Sequence, residues 1–222
     1  MTEDSSVILR HSNIASSDAK TLMSKVIEDN HTTIGVLYQN DDIGIAFTNA
    51  AKEMTTGNTF IAEPVDAKSA DFRTNIAKLL EKRPSAVVIY ILGQGAGITI
   101  NQLRESGYTG QIYSSQGLTL TPGAIDIARA NLAGTYYLTY EQNPQFSKAY
   151  QEKFGKNPPI LGVIGYTDIE LLTYAIDRTK SQDPKTLVDF IKGLKTFKGT
   201  YEIVDITPQG DILIQTVIKK WE

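Results

Sequence analysis

The chain has 222 residues, of which 41% are hydrophobic and 21% charged, and 22 basic against 25 acidic side chains give a net charge of −3. This composition is sufficient for a hydrophobic core, and the mixed charges make nucleic acids and acidic membranes poor candidate partners. The absence of cysteine excludes disulfides, thiolate metal sites and cysteine nucleophiles. Because His11 and His31 have no ligand partner at metal-binding spacing, neither a zinc site nor a histidine-based triad is expected.

Strand-like and helix-like segments alternate from about residue 16 to residue 140. The segment 34–38 is short and wholly apolar, which is typical of a strand buried on both faces. Strands are predicted at 34–38, 59–65, 85–92, 110–115 and 135–140, and helices at 44–56, 69–83, 98–105 and 122–130. This alternation predicts an α/β fold with a doubly wound parallel sheet.

The pattern changes after residue 140. Three amphipathic helices are predicted in succession, at 143–154, 166–178 and 183–194, and a hairpin follows, with strands at 201–207 and 212–219 and a turn at 208–211. Since the parallel sheet already has its own crossover helices, we expect the three helices to belong on another sheet, which this chain does not encode.

A glycine-rich loop, residues 93–97, lies between the strongest apolar strand and the helix at 98–105. Such a loop at a helix N-terminus places backbone N–H groups at the ligand-binding edge of a parallel sheet. Three glycines also make an ordinary tight turn. The sequence leaves both interpretations open.

Ligands of doubly wound sheets bind beyond the carboxyl ends of the strands. Three loops there carry polar side chains, at residues 39–42, 93–97 and 114–117. The pair Asp41-Asp42 resembles part of the acidic pocket of a receiver domain, but that domain also needs an aspartate after its third strand, where this chain has Gly93 and Gln94. Paired loop carboxylates are more often helix caps or solvated turn residues. No phosphate loop of the GxxxxGK[ST] type occurs in the sequence.

Several segments, in this order, resemble the type I periplasmic solute-binding proteins of the leucine/isoleucine/valine group, which feed ABC transporters. The resemblance covers nearly the whole chain. The segments are 34–44 (IGVLYQNDDIG), 67–72 (AKSADF), 143–155 (NPQFSKAYQEKFG), 165–168 (GYTD), 197–199 (FKG) and 210–211 (GD).

The resemblance implies a two-lobed fold. Residues 10–140 and 196–222 would form the second lobe of a type I binding protein, and residues 141–195 a helical remnant of an otherwise missing first lobe. The exposed apolar stripes of these helices would then pair with a second copy, as a homodimer, or cover this chain's own sheet. The resemblance also implies a periplasmic or cell-surface location for the full-length form, although this chain begins without a signal segment.

The resemblance further points to five ligand-binding candidates, namely Asn40, Ile43, Gln94, Ser114 and Gln116. In amino-acid binders of the family a tyrosine stands where this chain has Ile43, and an acidic residue that pairs with the ligand's ammonium stands where it has Gln116. An aromatic residue aligns near Gly93 or Gln94. These departures extend the expected ligand from a branched-chain amino acid to an amide or another small polar or aromatic molecule.

The expected function is therefore a non-enzymatic, solute-binding component of an ABC transporter. Its lobes would close on the solute, and its partners would be the permease subunits; no cofactor, metal or nucleic acid is expected. The alternative is a ligand-sensing receptor or regulatory domain of the same fold. An enzyme is not expected, because the sequence contains no triad, metal cluster or nucleotide loop.

Overall fold

A computed structural model of the chain describes residues 7–121, 123–141 and 143–222. The chain divides into two compact units. The parallel-sheet unit consists of Ala15–Thr139 and Thr216–Glu222. The antiparallel-sheet unit consists of the described residues up to Ile14 and of Tyr140–Gln215.

The predicted helices and strands occur in the expected order with several changes of boundary, except that the strand predicted at 212–219 is divided into two. The structure adds four elements that were not predicted, at 10–11, 15–28, 117–120 and 197–198. The helices and strands are β1 (Arg10–His11), α1 (Ala15–Glu28), β2 (Thr33–Gln39), α2 (Asp42–Met54), β3 (Thr59–Val65), α3 (Arg73–Leu80), β4 (Ala86–Tyr90), α4 (Gly95–Glu105), β5 (Gln111–Ser114), α5 (Gly117–Leu120), α6 (Ala124–Ala128), β6 (Tyr136–Tyr140), α7 (Pro144–Phe154), α8 (Ile160–Thr179), α9 (Pro184–Leu194), β7 (Phe197–Lys198), β8 (Glu202–Ile206), β9 (Asp211–Ile214) and β10 (Thr216–Lys220). A short 3₁₀ turn, Arg129–Asn131, follows α6.

The parallel-sheet unit is built on six strands in the order β10-β6-β5-β4-β2-β3. Strands β2 to β6 pair in parallel, and Val36 lies between Ala62 and Val88. Every residue of β4 is buried, because apolar clusters cover both faces of the sheet. Helices α1 and α2 supply one cluster and α3, α4 and α6 the other. The predicted doubly wound α/β fold is confirmed.

Two helix boundaries differ from the prediction for local reasons. Helix α3 begins at Arg73 rather than near residue 69, because the hydroxyl of Ser69 and the backbone of Asp71 bond to each other in a turn. Helix α8 begins at Ile160, six residues before the predicted Tyr166. Glycines 162 and 165 are poor helix formers, so local propensity understates this first turn and a half.

In the described part of the antiparallel-sheet unit, four strands pair in the order β1-β9-β8-β7. Strand β9 pairs with β1 in parallel and with β8 antiparallel. The inner faces of α8 and α9 cover this sheet and form a core of Leu171, Ala175, Leu187, Ile191, Ile203, Ile206 and Ile212. These two helices therefore cover a sheet of this chain, which was one of the two predicted arrangements, rather than a sheet that the chain does not encode.

The C-terminal hairpin is divided between the two sheets. Residues 212–219 were predicted as one strand, but the structure breaks it at Gln215: β9 pairs with β8, and β10 lies beside β6 in the parallel sheet. Residues 10–14 and 196–215 thus belong with the helices 141–195, and the predicted division, 10–140 and 196–222 against 141–195, is corrected at these positions. The physical reason is that the apolar side chains of β8 and β9 complete the core beneath α8 and α9.

Candidate functional site

The candidate site is the carboxyl edge of the parallel sheet, where β2, β4 and β5 end. Gln39 is the last residue of β2 and is buried at this edge. Its Oε1 accepts a hydrogen bond from the backbone N–H of Leu92 at 2.9 Å, and its Nε2 donates to Asp41 Oδ2 at 2.5 Å. The side chain of Gln39 therefore ties the loop after β2 to the loop after β4.

The loop after β2 is shaped by a helix cap. Asp41 Oδ1 accepts the backbone N–H of Gly44 at 2.9 Å and so caps α2. A Cβ on Gly44 would lie 1.9 Å from the carbonyl oxygen of Gln39, so only glycine allows this approach. The acidic pair is thus part of a cap rather than of a phospho-acceptor pocket. Asn40 and Ile43 lie between the bonded residues Gln39 and Gly44 and are exposed; Ile43 exposes 48% of its surface.

The glycine loop after β4 is explained by its backbone geometry. Gly93 has a φ of +71°, which favours glycine. A Cβ on Gly97 would lie 2.1 Å from the carbonyl oxygen of Ala124, so this glycine allows α4 to approach α6 closely. Gln94 precedes α4, is exposed and makes no side-chain cap bond. The glycines therefore serve the turn and the packing, and Gln94 presents its amide at the edge.

The loop after β5 lies in a buried layer. Ser114 and Gln116 are 0% and 7% exposed, and the next residue, Gly117, packs against the backbone of Ile91. Among the described residues, Ser114 Oγ and Gln116 Oε1 are buried without a hydrogen-bond partner. Gln116 Nε2 donates to Asp18 Oδ2 at 2.7 Å. The two ligand-binding candidates of this loop, Ser114 and Gln116, are therefore buried beneath the protein surface.

Asp18 is a member of this layer that sequence reasoning missed. It is 0% exposed, and its Oδ2 also accepts from the hydroxyl of Tyr90 at 2.8 Å. Helix α1 buries Asp18 together with Ala19, Leu22, Met23 and Val26. A charged residue on an otherwise apolar helix face is the signal that could have found it, because buried charges are rare unless paired.

The site residues thus form two layers. Asn40, Ile43 and Gln94 lie at the surface, whereas Ser114 and Gln116 lie in the buried layer with Asp18. The arrangement offers amide donors and acceptors, one branched apolar side chain and one buried carboxylate. In the described part of the chain, no group of three or more His, Cys, Asp or Glu side chains could hold a metal ion.

Perturbed acid–base groups occur away from this edge, before β2 and at β5. The ring of His31 lies 3.0 Å from the hydroxyl of Tyr113, which donates to Asp29 Oδ2 at 2.5 Å. Burial lowers the pKa of His31 and raises that of Tyr113. Burial also raises the pKa of Asp29, but hydrogen bonds from Lys25 and Tyr113 outweigh it and leave that pKa lowered.

Comparison with known proteins identifies the fold. Residues 3–217 match the family model described as periplasmic binding protein. A curated relative, Leu/Ile/Val-binding protein homolog 1 of Brucella abortus, is 27% identical over 203 residues, which cover 85% of this chain and 53% of the relative. The chain therefore spans about half the length of the curated relatives it matches.

Solved structures agree with this match. The leucine-binding protein LivK of Thermotoga maritima is similar with a TM-score of 0.87 at 22% identity, over 100% of this chain and 66% of that protein. A solute-binding protein of an ABC transporter from Rhodopseudomonas palustris BisB5, in complex with 3,4-dihydroxybenzoic acid, gives a TM-score of 0.77 at 20% identity, over 100% of this chain and 64% of that protein. None of the described helices is both long and apolar enough to cross a membrane.

Proposed function

We propose that this chain, which belongs to the periplasmic binding protein family, is a non-enzymatic, solute-binding component of an ABC transporter that takes up an amino-acid-like or related small solute. Its place of action is the periplasm or the cell surface, and its partners are the solute and the permease subunits. The observation that carries the proposal is that the segments following β2 and β4 expose two amides, of Asn40 and Gln94, and one isoleucine, Ile43, at the carboxyl edge of the sheet.

The surface layer suits a small solute that is partly polar and partly apolar. The amides of Asn40 and Gln94 can each donate and accept hydrogen bonds, and neither carries a charge. Ile43 exposes 48% of its surface and can bury an aliphatic or aromatic group of the solute. Since none of these three side chains carries a charge, they favour an amino acid, an amide or a neutral aromatic group over a phosphate.

The buried layer favours a solute group that donates hydrogen bonds. The Nε2 of Gln116 is engaged by Asp18, so Oε1, an acceptor, is the atom that Gln116 retains for another group. The Asp18 carboxylate behind it adds negative potential, which favours an ammonium or amide N–H. Because Oε1 is enclosed, contact with a solute requires a rearrangement that exposes this atom.

Isothermal titration calorimetry and thermal shift test the proposal directly. We expect at least one of leucine, isoleucine, valine, their amides or 3,4-dihydroxybenzoate to raise the melting temperature and to bind with a measurable Kd. The chain spans only part of its relatives, so the same panel is run on the longest form that the gene encodes. If no solute in the panel binds to either form, solute binding by this edge is refuted.

A matched pair of variants tests the location of the site. Ile43 and Ile45 both lie on α2 and are exposed by 48% and 43%. We expect Ile43→Asp to weaken binding at least tenfold and Ile45→Asp to leave the Kd unchanged. Equal effects of the two variants would place the solute elsewhere.

Stimulation of a permease's ATPase activity separates the transporter assignment from the receptor alternative. We expect the full-length protein to stimulate the ATPase activity of the permease complex encoded beside it, in proteoliposomes supplied with the bound solute. Binding of a solute without stimulation would favour a ligand-sensing receptor of the same fold.

A further inference from the structure

The side chain of Gln39 is a buried link between two segments that carry candidate solute contacts. Gln39 is the last residue of β2 and is 4% exposed. Asn40 and Ile43 follow it directly in the chain. Its Oε1 is bonded to the backbone of Leu92, which lies two residues before Gln94. One side chain therefore connects the segment after β2, which carries two of the exposed candidates, to the segment after β4, which carries the third.

The orientation of the Gln39 amide is fixed by its two partners. The backbone N–H of Leu92 can only donate, so it must face Oε1, and a carboxylate such as that of Asp41 can only accept, so it must face Nε2. The two distances are 2.9 Å and 2.5 Å. Turning the amide over would place donor against donor and acceptor against acceptor. Both ends of the amide are therefore engaged within the protein.

The link begins where the pairing of the two strands ends. The parallel register of β2 and β4 extends to Tyr38 and Tyr90. One residue further along β2, the side chain of Gln39 bonds to the backbone of Leu92, so a side chain continues the connection beyond the last paired residues. Loss of this side chain would therefore remove a bond that holds the backbone of the segment after β4 to the end of β2.

The backbone on the β2 side of the link is held by further contacts. The N–H of Asn40 donates to the carbonyl oxygen of Val65, at the end of β3, and the N–H of Asp41 donates to that of Gln39, each at 2.9 Å. A Cβ on Gly44 would lie 1.9 Å from the carbonyl oxygen of Gln39 and 3.2 Å from its Cγ, so glycine leaves room for this conformation. The β2 side is thus well anchored, and the amide of Gln39 places the segment after β4 against it.

We propose that Gln39 is a positioning residue of the solute site, whose amide fixes the segment after β2 relative to the segment after β4. It thereby sets how far Gln94 lies from Asn40 and Ile43, and it does not itself touch the solute. This inference rests on the proposed function, since it concerns the same edge of the sheet. Hydrogen bonds weaken steeply as their distance and angle depart from the optimum, so a site depends on the groups that hold its contacts in place. Loss of the link should weaken binding although every proposed contact is retained.

Calorimetric titration of Gln39→Met tests this role, with leucine, isoleucine, valine, their amides and 3,4-dihydroxybenzoate as the solutes. Methionine is similar in length to glutamine and flexible, so it fills the same space while making neither hydrogen bond. We expect the Kd of each solute that binds the wild type to rise at least tenfold.

The matched control is Gln111→Met. The Nε2 of Gln111 donates to the carbonyl oxygens of Ile112 and Gly134 at 3.0 Å and 2.7 Å, so this side chain also joins two segments, but at the amino end of β5. We expect the control to leave the Kd unchanged even where it lowers the melting temperature as much as Gln39→Met does. An equal loss of affinity in both variants would overturn the inference, because general destabilisation would then explain it.

Gln39→Glu provides a second variant that retains the shape of the side chain. It keeps an acceptor for the N–H of Leu92 but sets a second carboxylate against Asp41, and these like charges repel each other near neutral pH. At lower pH the two carboxyl groups can share one proton, which restores a donor between them. We expect the Kd of Gln39→Glu, relative to that of the wild type, to recover from about pH 8 to about pH 5, whereas that of Gln39→Met does not. A ratio that stays constant with pH would contradict the role of the amide.

Amide hydrogen exchange measured by NMR detects the link without any solute. We expect Gln39→Met to accelerate exchange of the Leu92 N–H at least tenfold and to leave that of Val88, in the middle of β4, unchanged. Unchanged exchange at Leu92, or an unchanged Kd in Gln39→Met, would overturn the inference and leave the proposed function intact. A wild type that binds none of the solutes would instead overturn the proposed function, and the role of Gln39 in binding with it.

Discussion

Gln116 donates a hydrogen bond from Nε2 to Asp18 Oδ2 at 2.7 Å, across 98 positions of the sequence, and joins the loop after β5 to the first turn of α1. The hydroxyl of Tyr90 donates to the same oxygen at 2.8 Å. Both donors come from the carboxyl edge of the sheet. The Asp18 carboxylate therefore holds together the three elements that form the buried layer of the candidate site.

Replacing Tyr90 by Phe tests how much this carboxylate contributes to stability. The change removes one donor and retains the ring, which stacks on Phe47 with centroids 3.7 Å apart. A hydrogen bond to a charged group contributes about 1.5–3 kcal/mol, so we expect Tyr90→Phe to lower the free energy of unfolding by about that amount.

Urea unfolding followed by circular dichroism gives this measurement. The control is Tyr137→Phe, since the ring of Tyr137 contacts Trp221 and, in the described part of the chain, its hydroxyl makes no hydrogen bond. We expect that control to change stability by less than about 0.5 kcal/mol. An equal loss of unfolding free energy in both variants would show that the hydrogen bond from Tyr90 to Asp18 contributes no more to stability than the Tyr137 hydroxyl.

The order of elements could be predicted from the sequence because apolar runs and glycine or proline breaks are local signals. The runs 34–38 and 85–92 correspond to β2 and β4, which are buried on both faces. Asp18 could not be placed in this way, because its partners lie 72 and 98 residues away. Its importance depends on which loops the sheet brings together, and sequence periodicity does not contain that information.

The division of the hairpin was also beyond local reasoning. Residues 212–219 read as one strand, since nothing in their alternation marks Gln215 as a break. The backbone N–H of Gln215 donates to the carbonyl oxygen of Glu202, and the next residue begins β10 in the other sheet. Residues 211–214 join the sheet beneath α8 and α9 because those helices offer an apolar face for them to pack against. The sequence of the hairpin alone does not reveal that face.

The two acidic residues after β2 should differ in their effect on stability. Asp41 caps α2 through the backbone N–H of Gly44, whereas Asp42 is the first residue of the helix and is exposed. Loss of a cap side chain costs about 1 kcal/mol. We expect Asp41→Ala to lose at least that amount, Asp41→Asn to keep the cap but lose the hydrogen bond from Gln39 Nε2, and Asp42→Ala to lose less than Asp41→Ala. Chemical denaturation of the three variants measures the order, and a larger loss for Asp42→Ala would contradict it.

Two helical glycines should respond in opposite directions to alanine. At Gly44 a Cβ would lie 1.9 Å from the Gln39 carbonyl oxygen, so Gly44→Ala forces the backbone apart and should cost more than about 2 kcal/mol. At Gly193, in α9, nothing lies within 4 Å of a Cβ, and alanine should stabilise the helix by about 0.5–1 kcal/mol. Melting temperatures of the two variants give the comparison. Stabilisation by Gly44→Ala would show that the loop after β2 can relax.

The buried ring of His31 predicts a loss of stability below neutral pH. Burial lowers the pKa of His31 in the folded protein, and the nearby Asp29 only partly opposes this effect. In the unfolded chain the pKa of a histidine is about 6.5, so as the pH falls through this value the unfolded state takes up the proton first. The free energy of unfolding should therefore decrease from pH 6.5 down to the pKa of the folded state and be insensitive to His31 above pH 7.5.

His31→Gln removes this titration and retains a side chain that can donate to Tyr113. We expect urea unfolding of the wild type at pH 7.5, 6.5 and 5.5 to show a steeper decline than that of His31→Gln over the same range. An NMR titration of the ring protons of His31 provides the independent measurement, with an expected midpoint below 6.5. A midpoint above that value would mean that the charge of Asp29, held 2.7 Å from Lys25 and 2.5 Å from Tyr113, outweighs burial, and the wild type would then gain stability as the pH falls.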